Sequence, residues 1–250
     1  MRYFMHLAYN GNGFSGWQVQ PGEPTVQGSI EEALSRVLRK DTGITGAGRT
    51  DTGVNANMMI AHFDCDTPLP AGLVRSLNCM VGHNIAIYDI WAVAPDAHAR
   101  FDAVSRTYHY YVTTRKSPFA YPYSWQAPPT LDFDAMNRAA AYLLGCQDFT
   151  SFSKLHTQVK TNICTISEAG WEQCGEHAWC FTITADRFLR NMVRAIVGTL
   201  VDVGRGKMPP ESVADIIAKR DRCSAGTSMP PQALFLWHIA YPEGLEGRIH

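Results

Sequence analysis

The sequence lacks several things whose absence narrows its chemistry. It has no run of about 18 apolar residues, so no segment reads as a membrane-crossing helix. The opening Met1-Arg2-Tyr3-Phe4-Met5 shows no charged-then-apolar leader of the secretory type. It has no Cys-x-x-Cys pair. The seven cysteines, at 65, 79, 146, 164, 174, 180 and 223, are scattered and odd in number, which argues against a disulfide framework and a zinc site and fits a reducing cytoplasm. The nine histidines show no metal-ligand spacing, and H-E-x-x-H is missing. With no G-x-S-x-G elbow, serine-hydrolase chemistry has no support. Net charge is also scarce: at −1 the chain is not one that coats nucleic acid indiscriminately.

What charge there is lies unevenly. Between Arg187 and Arg222 eight Lys or Arg face four acids, a surplus of +4 in a chain that is negative overall. The 250 residues, 46% hydrophobic, suffice for one large domain or two small ones. Alternation predicts strands over 2–10, 85–93, 106–114, 178–184 and 234–241, an extended piece through Phe63, and another strand over 159–172. Helical spacing predicts helices over 25–40, 70–80, 132–144 and 187–203, with a further one from Pro209-Pro210 to Lys219. Four prolines between 118 and 129 mark a boundary between halves 1–117 and 118–250. The class is α+β: two similar halves with mixed, mainly antiparallel sheets that join, and helices packed on the outer face.

One stretch stands out, Gly46-Ala47-Gly48-Arg49-Thr50-Asp51-Thr52-Gly53-Val54. A carboxylate on a glycine-rich loop ahead of an apolar run is where chemistry often sits. The same residues also spell an Asp-Thr-Gly turn in which Asp51 bonds only locally. Gly11-Asn12-Gly13-Phe14-Ser15-Gly16 matches the dinucleotide fingerprint, but Pro21 and Gly22 stop the helix that a pyrophosphate would need, so the stretch reads as a strand-to-helix loop. Arg187, Arg190 and Arg194 are spaced to share one face of the expected helix, either as a solvated face or as a cationic wall toward RNA phosphate or the Asp51 carboxylate. Arg106, Tyr108 and Tyr110 point one way on a strand, as a packing face or a base-stacking platform.

Taken in order, the motifs resemble the tRNA pseudouridine synthase A family nearly end to end. They are Tyr9-Asn10-Gly11 with Gly16-Trp17-Gln18, Ala47-Gly48-Arg49-Thr50-Asp51-x-Gly53-Val54, His98-Ala99-Arg100-Phe101, Arg106-x-Tyr108-x-Tyr110, Gly145-x-x-Asp148-Phe149-x-Ser151-Phe152 and Met192-Val193-Arg194-x-Ile196-Val197-Gly198. The resemblance implies isomerisation of uridine to pseudouridine at positions 38, 39 and 40 of the tRNA anticodon stem-loop, by a homodimer without cofactor or metal. It implies a central RNA-binding cleft with Asp51 as catalytic carboxylate, Tyr108 stacking on the target base, Arg194 as the aspartate's basic partner, and Arg49 positioning RNA or the flipped base. Asn55 stands where the family commonly has histidine, Asn10 where it has aspartate, and Cys164 where an arginine is often found.

Overall fold

The computed structural model describes residues 1–154 and 161–245, with the side chain of Cys146 excepted. The chain forms two compact units, one made of Met1–Ser105 and the residues from Leu236 onward, the other of Arg106–Phe235. The proline-rich segment 118–129 therefore lies inside the second unit.

The first unit opens with β1 (Arg2–Tyr9), α1 (Val26–Leu38) and β2 (Thr45–Gly46), then β3 (Asn55–Asp64), α2 (Leu73–Asn78) and β4 (Ile85–Val93). The helix α1 starts where the sequence indicates, with Thr25 Oγ1 accepting from the Gly28 N–H at 3.2 Å. Its buried stripe is Val26, Ile30, Ala33 and Leu34. β1 runs antiparallel to both β3 and β4, and Phe4, Met5 and Leu7 are wholly buried.

The second unit holds β5 (Ser105–Thr113), β6 (Trp125–Gln126), α3 (Phe133–Ala140), β7 (Gly145–Asp148), β8 (Ile163–Gly175), β9 (Ala178–Ala185), α4 (Met192–Gly204) and α5 (Ser212–Lys219). Its strands run in the order β5-β9-β8-β7, antiparallel throughout, while β6 pairs parallel with β5. Asp132 caps α3 by accepting from the Ala135 N–H at 2.8 Å, and the last expected turn tightens to a 3₁₀ helix over Ala141–Leu143. The strand expected from Val159 begins at Ile163 among the described residues, and Val159 itself lies outside them. The closing strand β10 (Leu234–Ala240) is hydrogen-bonded to β3. The architecture is thus α+β, with mixed and mostly antiparallel strands.

The helix expected from Arg187 starts later in the chain. Arg187, Arg190 and Arg194 do not line one helix face, because α4 begins only at Met192. After β9 the chain turns at Asp186, whose Oδ1 accepts from the N–H groups of Arg187 (2.7 Å) and Thr165 (2.8 Å). Asn191 then adopts a left-handed conformation, φ 65°, which interrupts any helix running through it. Of the three arginines only Arg194 is helical. Eleven of the thirteen residues of α4 are buried, so it is a core helix apolar nearly all round, and Arg194 is one of its two polar breaks.

Candidate active site

The Asp51 loop lies between two paired strands of the first unit. β2 pairs with the far half of β3, Thr45 opposite His62 and Gly46 opposite Ala61, and the Ala47 N–H bonds to Ile60 O at 2.8 Å. Residues 48–54 are left to loop out and return into β3 at Asn55. A β-turn ends the loop: the Val54 N–H bonds to Asp51 O at 3.1 Å, with Gly53 at φ 75° in its third position. Asp51 heads this turn and is half-buried, while Arg49 is exposed. The Asp-Thr-Gly turn is thus formed, with Asp51 as its first residue.

The glycine-rich loop after β1 backs this turn. Gly11 and Gly16 lie against it so closely that neither position has room for a side chain. A Cβ on Gly11 would sit 2.3 Å from Val54 O, and one on Gly16 would sit 2.6 Å from Thr50 O. The Trp17 N–H donates to Thr50 O at 3.1 Å, and the Gly11 N–H donates to Asn55 Oδ1 at 2.9 Å. The Tyr9 hydroxyl and Thr50 Oγ1 are 2.7 Å apart in a buried hydrogen bond. Trp17 is core, its indole packed against Gly46. The glycine pattern that imitates a nucleotide fingerprint is a backing plate for the aspartate loop. Asn55, singled out in the sequence as standing where the family commonly has histidine, holds Gly11, while the part played by Thr50 was not expected from sequence.

In the second unit Tyr108 lies on β5, opposite Ile183 of β9. Its ring meets Phe188 edge-on, with centroids 5.0 Å apart at 84°. Arg106, two residues earlier, donates from Nη1 to Asp186 O at 2.9 Å. Tyr110, two residues later, is fully buried and donates to Pro230 O at 3.1 Å. Burial pushes its hydroxyl pKa well up from the usual value, with the nearby Arg194 charge acting the other way. The expected alternation of Arg106, Tyr108 and Tyr110 holds, and only Tyr110 goes wholly into the core.

Arg194 is half-buried on α4, and its Nε donates to Met229 O at 2.5 Å. The Met229 N–H returns a bond to Arg194 O at 3.1 Å. Residues 225–230 are tied to α4 and its flanking residues at several further points. The Gly226 N–H donates to Thr199 Oγ1 at 2.8 Å, and Ser228 Oγ accepts from Asn191 Nδ2 at 2.5 Å and from Arg222 Nη2 at 3.1 Å. Gly198 and Gly226 permit this approach; a Cβ on Gly198 would lie 1.8 Å from Thr227 O. Arg190, by contrast, is exposed and outside the helix.

The His98-Ala99-Arg100-Phe101 motif forms a turn in the first unit. The N–H groups of Arg100 and Phe101 point at His98 Nδ1 (3.1 and 3.3 Å), and the Ala99 N–H donates to His62 Nδ1 at 3.2 Å. Burial, with His98 and Arg2 adding to it, holds the His62 pKa down to about 4, against weaker upward pulls from Asp64 and Asp102. No group of metal-ligating side chains occurs among the described residues, the six described cysteines are free thiols, and no described helix is long and apolar enough to cross a membrane.

A family model described as tRNA pseudouridine synthase matches residues 139–242. Those residues include β8, β9 and all of α4 with Arg194. Relatives extend the likeness over the whole length. Proteins called "tRNA pseudouridine synthase A" from Parabacteroides distasonis and Bacteroides fragilis are 56% identical over 246 residues and 54% over 244. The alignments cover 98% and 97% of this chain, and 97% of each relative. One of the same description from Brevibacillus brevis is 41% identical over 238 residues, covering 94% of this chain and 97% of its own. The chain belongs to the tRNA pseudouridine synthase A family, and it is an isomerase that converts uridine to pseudouridine in tRNA.

Proposed function

We propose that this isomerase acts at positions 38, 39 and 40 of the anticodon stem-loop, in the cytoplasm and as a homodimer, with Asp51 as its catalytic carboxylate. The observation that carries the assignment of Asp51 is the bracing of its loop. A half-buried carboxylate heads a glycine turn whose preceding residue, Thr50, is fixed through both side chain and main chain. Such rigidity is what a reacting group needs and a solvated turn does not.

The reaction balances within the substrate. The C1′–N1 bond breaks, C5 bonds to C1′, the C5 hydrogen leaves as a proton, and N1 gains one. A carboxylate serves by bonding to the sugar or the uracil, or by stabilising the cation-like sugar centre, as carboxylates do in glycoside cleavage. The target base must leave its stack, at a cost of a few kcal/mol, which an aromatic face and cationic contacts offset. Tyr108, half-buried with its edge-on Phe188 neighbour, is the stacking face. Arg194 is the basic partner of the reacting groups, held in place by Met229 O, and the exposed Arg49 positions RNA or the flipped base. The aspartate loop belongs to the first unit and the Arg194 helix to the second.

The test is Asp51→Asn, which keeps the side chain's size and removes its charge. Release of the C5 hydrogen from labelled tRNA is expected to stop while the fold and tRNA affinity are retained. Turnover equal to that of the unaltered protein would refute the assignment.

A further inference from the structure

We infer that Tyr9 is a positioning residue for Asp51, acting through its hydroxyl on Thr50; the inference rests on the reading of Asp51 as the catalytic carboxylate. Tyr9 ends β1 opposite Ala56, and its ring lies 5.9 Å from that of Trp17. It is only 4% exposed, and the packing alone would be met equally by phenylalanine. The hydroxyl adds a polar atom that must be satisfied when buried, and its partner is Thr50 Oγ1 at 2.7 Å. Thr50 is itself buried and directly precedes Asp51.

Three further restraints on the loop act on main chain. The Trp17 N–H holds Thr50 O, the Val54 N–H holds Asp51 O, and Gly16 abuts the Thr50 carbonyl. On the far side of the turn Asn55 fastens the first residue of β3 to Gly11. Between Thr50 and Asn55, Asp51 is fixed at both ends. The bond from Tyr9 fixes the side chain, and hence the rotation, of the residue immediately before the carboxylate. Loss of such a bond displaces a reacting group slightly rather than removing it, and a displacement of about 1 Å can cost about a hundredfold in rate. The bond joins residues 41 apart in sequence and is buried, so its effect is expected in kcat rather than in tRNA affinity.

The experiment compares Tyr9→Phe, Thr50→Val, Thr50→Ser and the Tyr9→Phe/Thr50→Val double variant by single-turnover release of the C5 hydrogen, per mole of folded protein as judged by circular dichroism, with Asp51→Asn in the same series. Tyr9→Phe and Thr50→Val are each expected to lower the rate about 10- to 100-fold with KM for tRNA within about twofold. Thr50→Ser, which keeps the hydroxyl, is expected to retain the rate. The double variant is expected to be no slower than either single change, because both remove one bond. Unchanged rates for Tyr9→Phe and Thr50→Val beside an inactive Asp51→Asn would overturn the inference and leave the Asp51 reading standing. So would losses that multiply in the double variant, or that vanish once scaled to folded protein. If Tyr9→Phe does not fold, the contrast of Thr50→Val with Thr50→Ser reads the same bond. An active Asp51→Asn would overturn the underlying assignment instead.

Discussion

Arg194 and Arg190 differ at the scale of single residues in a way their spacing conceals. Arg194 is half-buried with its Nε fixed on Met229 O, while Arg190 is exposed and precedes the helix. A charged group so placed contributes about 1.5–3 kcal/mol where it meets a partner, whereas an exposed one contributes little. Arg194→Ala is therefore expected to lower kcat/KM at least about tenfold, and Arg190→Ala by less than about threefold. Steady-state assays on tRNA would decide this, and equal small losses would count against the role given to Arg194. His62 makes a second residue-scale prediction. Its pKa in the folded protein is about 4, below the usual value of 6.5. Between those values the unfolded chain binds the extra proton, so the contribution of His62 is complete above about pH 6.5 and is lost as pH falls toward 4. Unfolding in urea at pH 7 and pH 5 should show wild-type stability falling more than that of His62→Gln, by up to about 1.4 kcal/mol per pH unit. Parallel curves would show that His62 does not carry this linkage.

At the scale of elements, the clasp between α4 and residues 225–230 determines where Arg194 can be. Gly198→Ala would place a methyl 1.8 Å from Thr227 O, a main-chain atom that cannot swing aside. It is expected to destabilise the fold by about 1–3 kcal/mol and to lower the rate, because the Met229 carbonyl moves with the segment. Denaturant titration with a parallel rate measurement checks both parts, and full stability would mean the segment is not held as described. Most elements were legible from period and caps. The strand over 85–93 matches β4 at both ends, and Thr25 opens α1 as its side chain suggests. The start of α4 was not legible, because three arginines at helical spacing outweighed a single Asn191 that the structure places at φ 65°. Asparagine tolerates that left-handed step better than most residues, but its presence alone does not mark a helix start. The step is stabilised by a contact with Ser228, 37 positions away.

At the scale of the molecule, the same contrast separates what motifs carry from what tertiary contacts carry. Asp51 was visible as a carboxylate in a glycine-rich stretch, and the order of motifs pointed to the family that the full-length relatives establish. The bracing by Tyr9, Gly11 and Gly16 was not visible, because it joins β1 and its following loop to a turn some 40 residues on. The stretch that matches a nucleotide fingerprint, read from sequence as a strand-to-helix loop, packs closely at Gly11 and Gly16. The net charge of −1 has a consequence at this scale too. With so little net charge, tRNA affinity is expected to rest on localised cations and to weaken as salt rises.

Mapping pseudouridine in cellular tRNA tests most directly the proposal that Asp51 makes this modification at positions 38, 39 and 40. Cells lacking the protein should lose pseudouridine at those three positions and keep it elsewhere. Resupplying the unaltered chain should restore it, and resupplying Asp51→Asn at equal abundance should not. Unchanged modification in the deficient cells, or restoration by Asp51→Asn, would contradict the account.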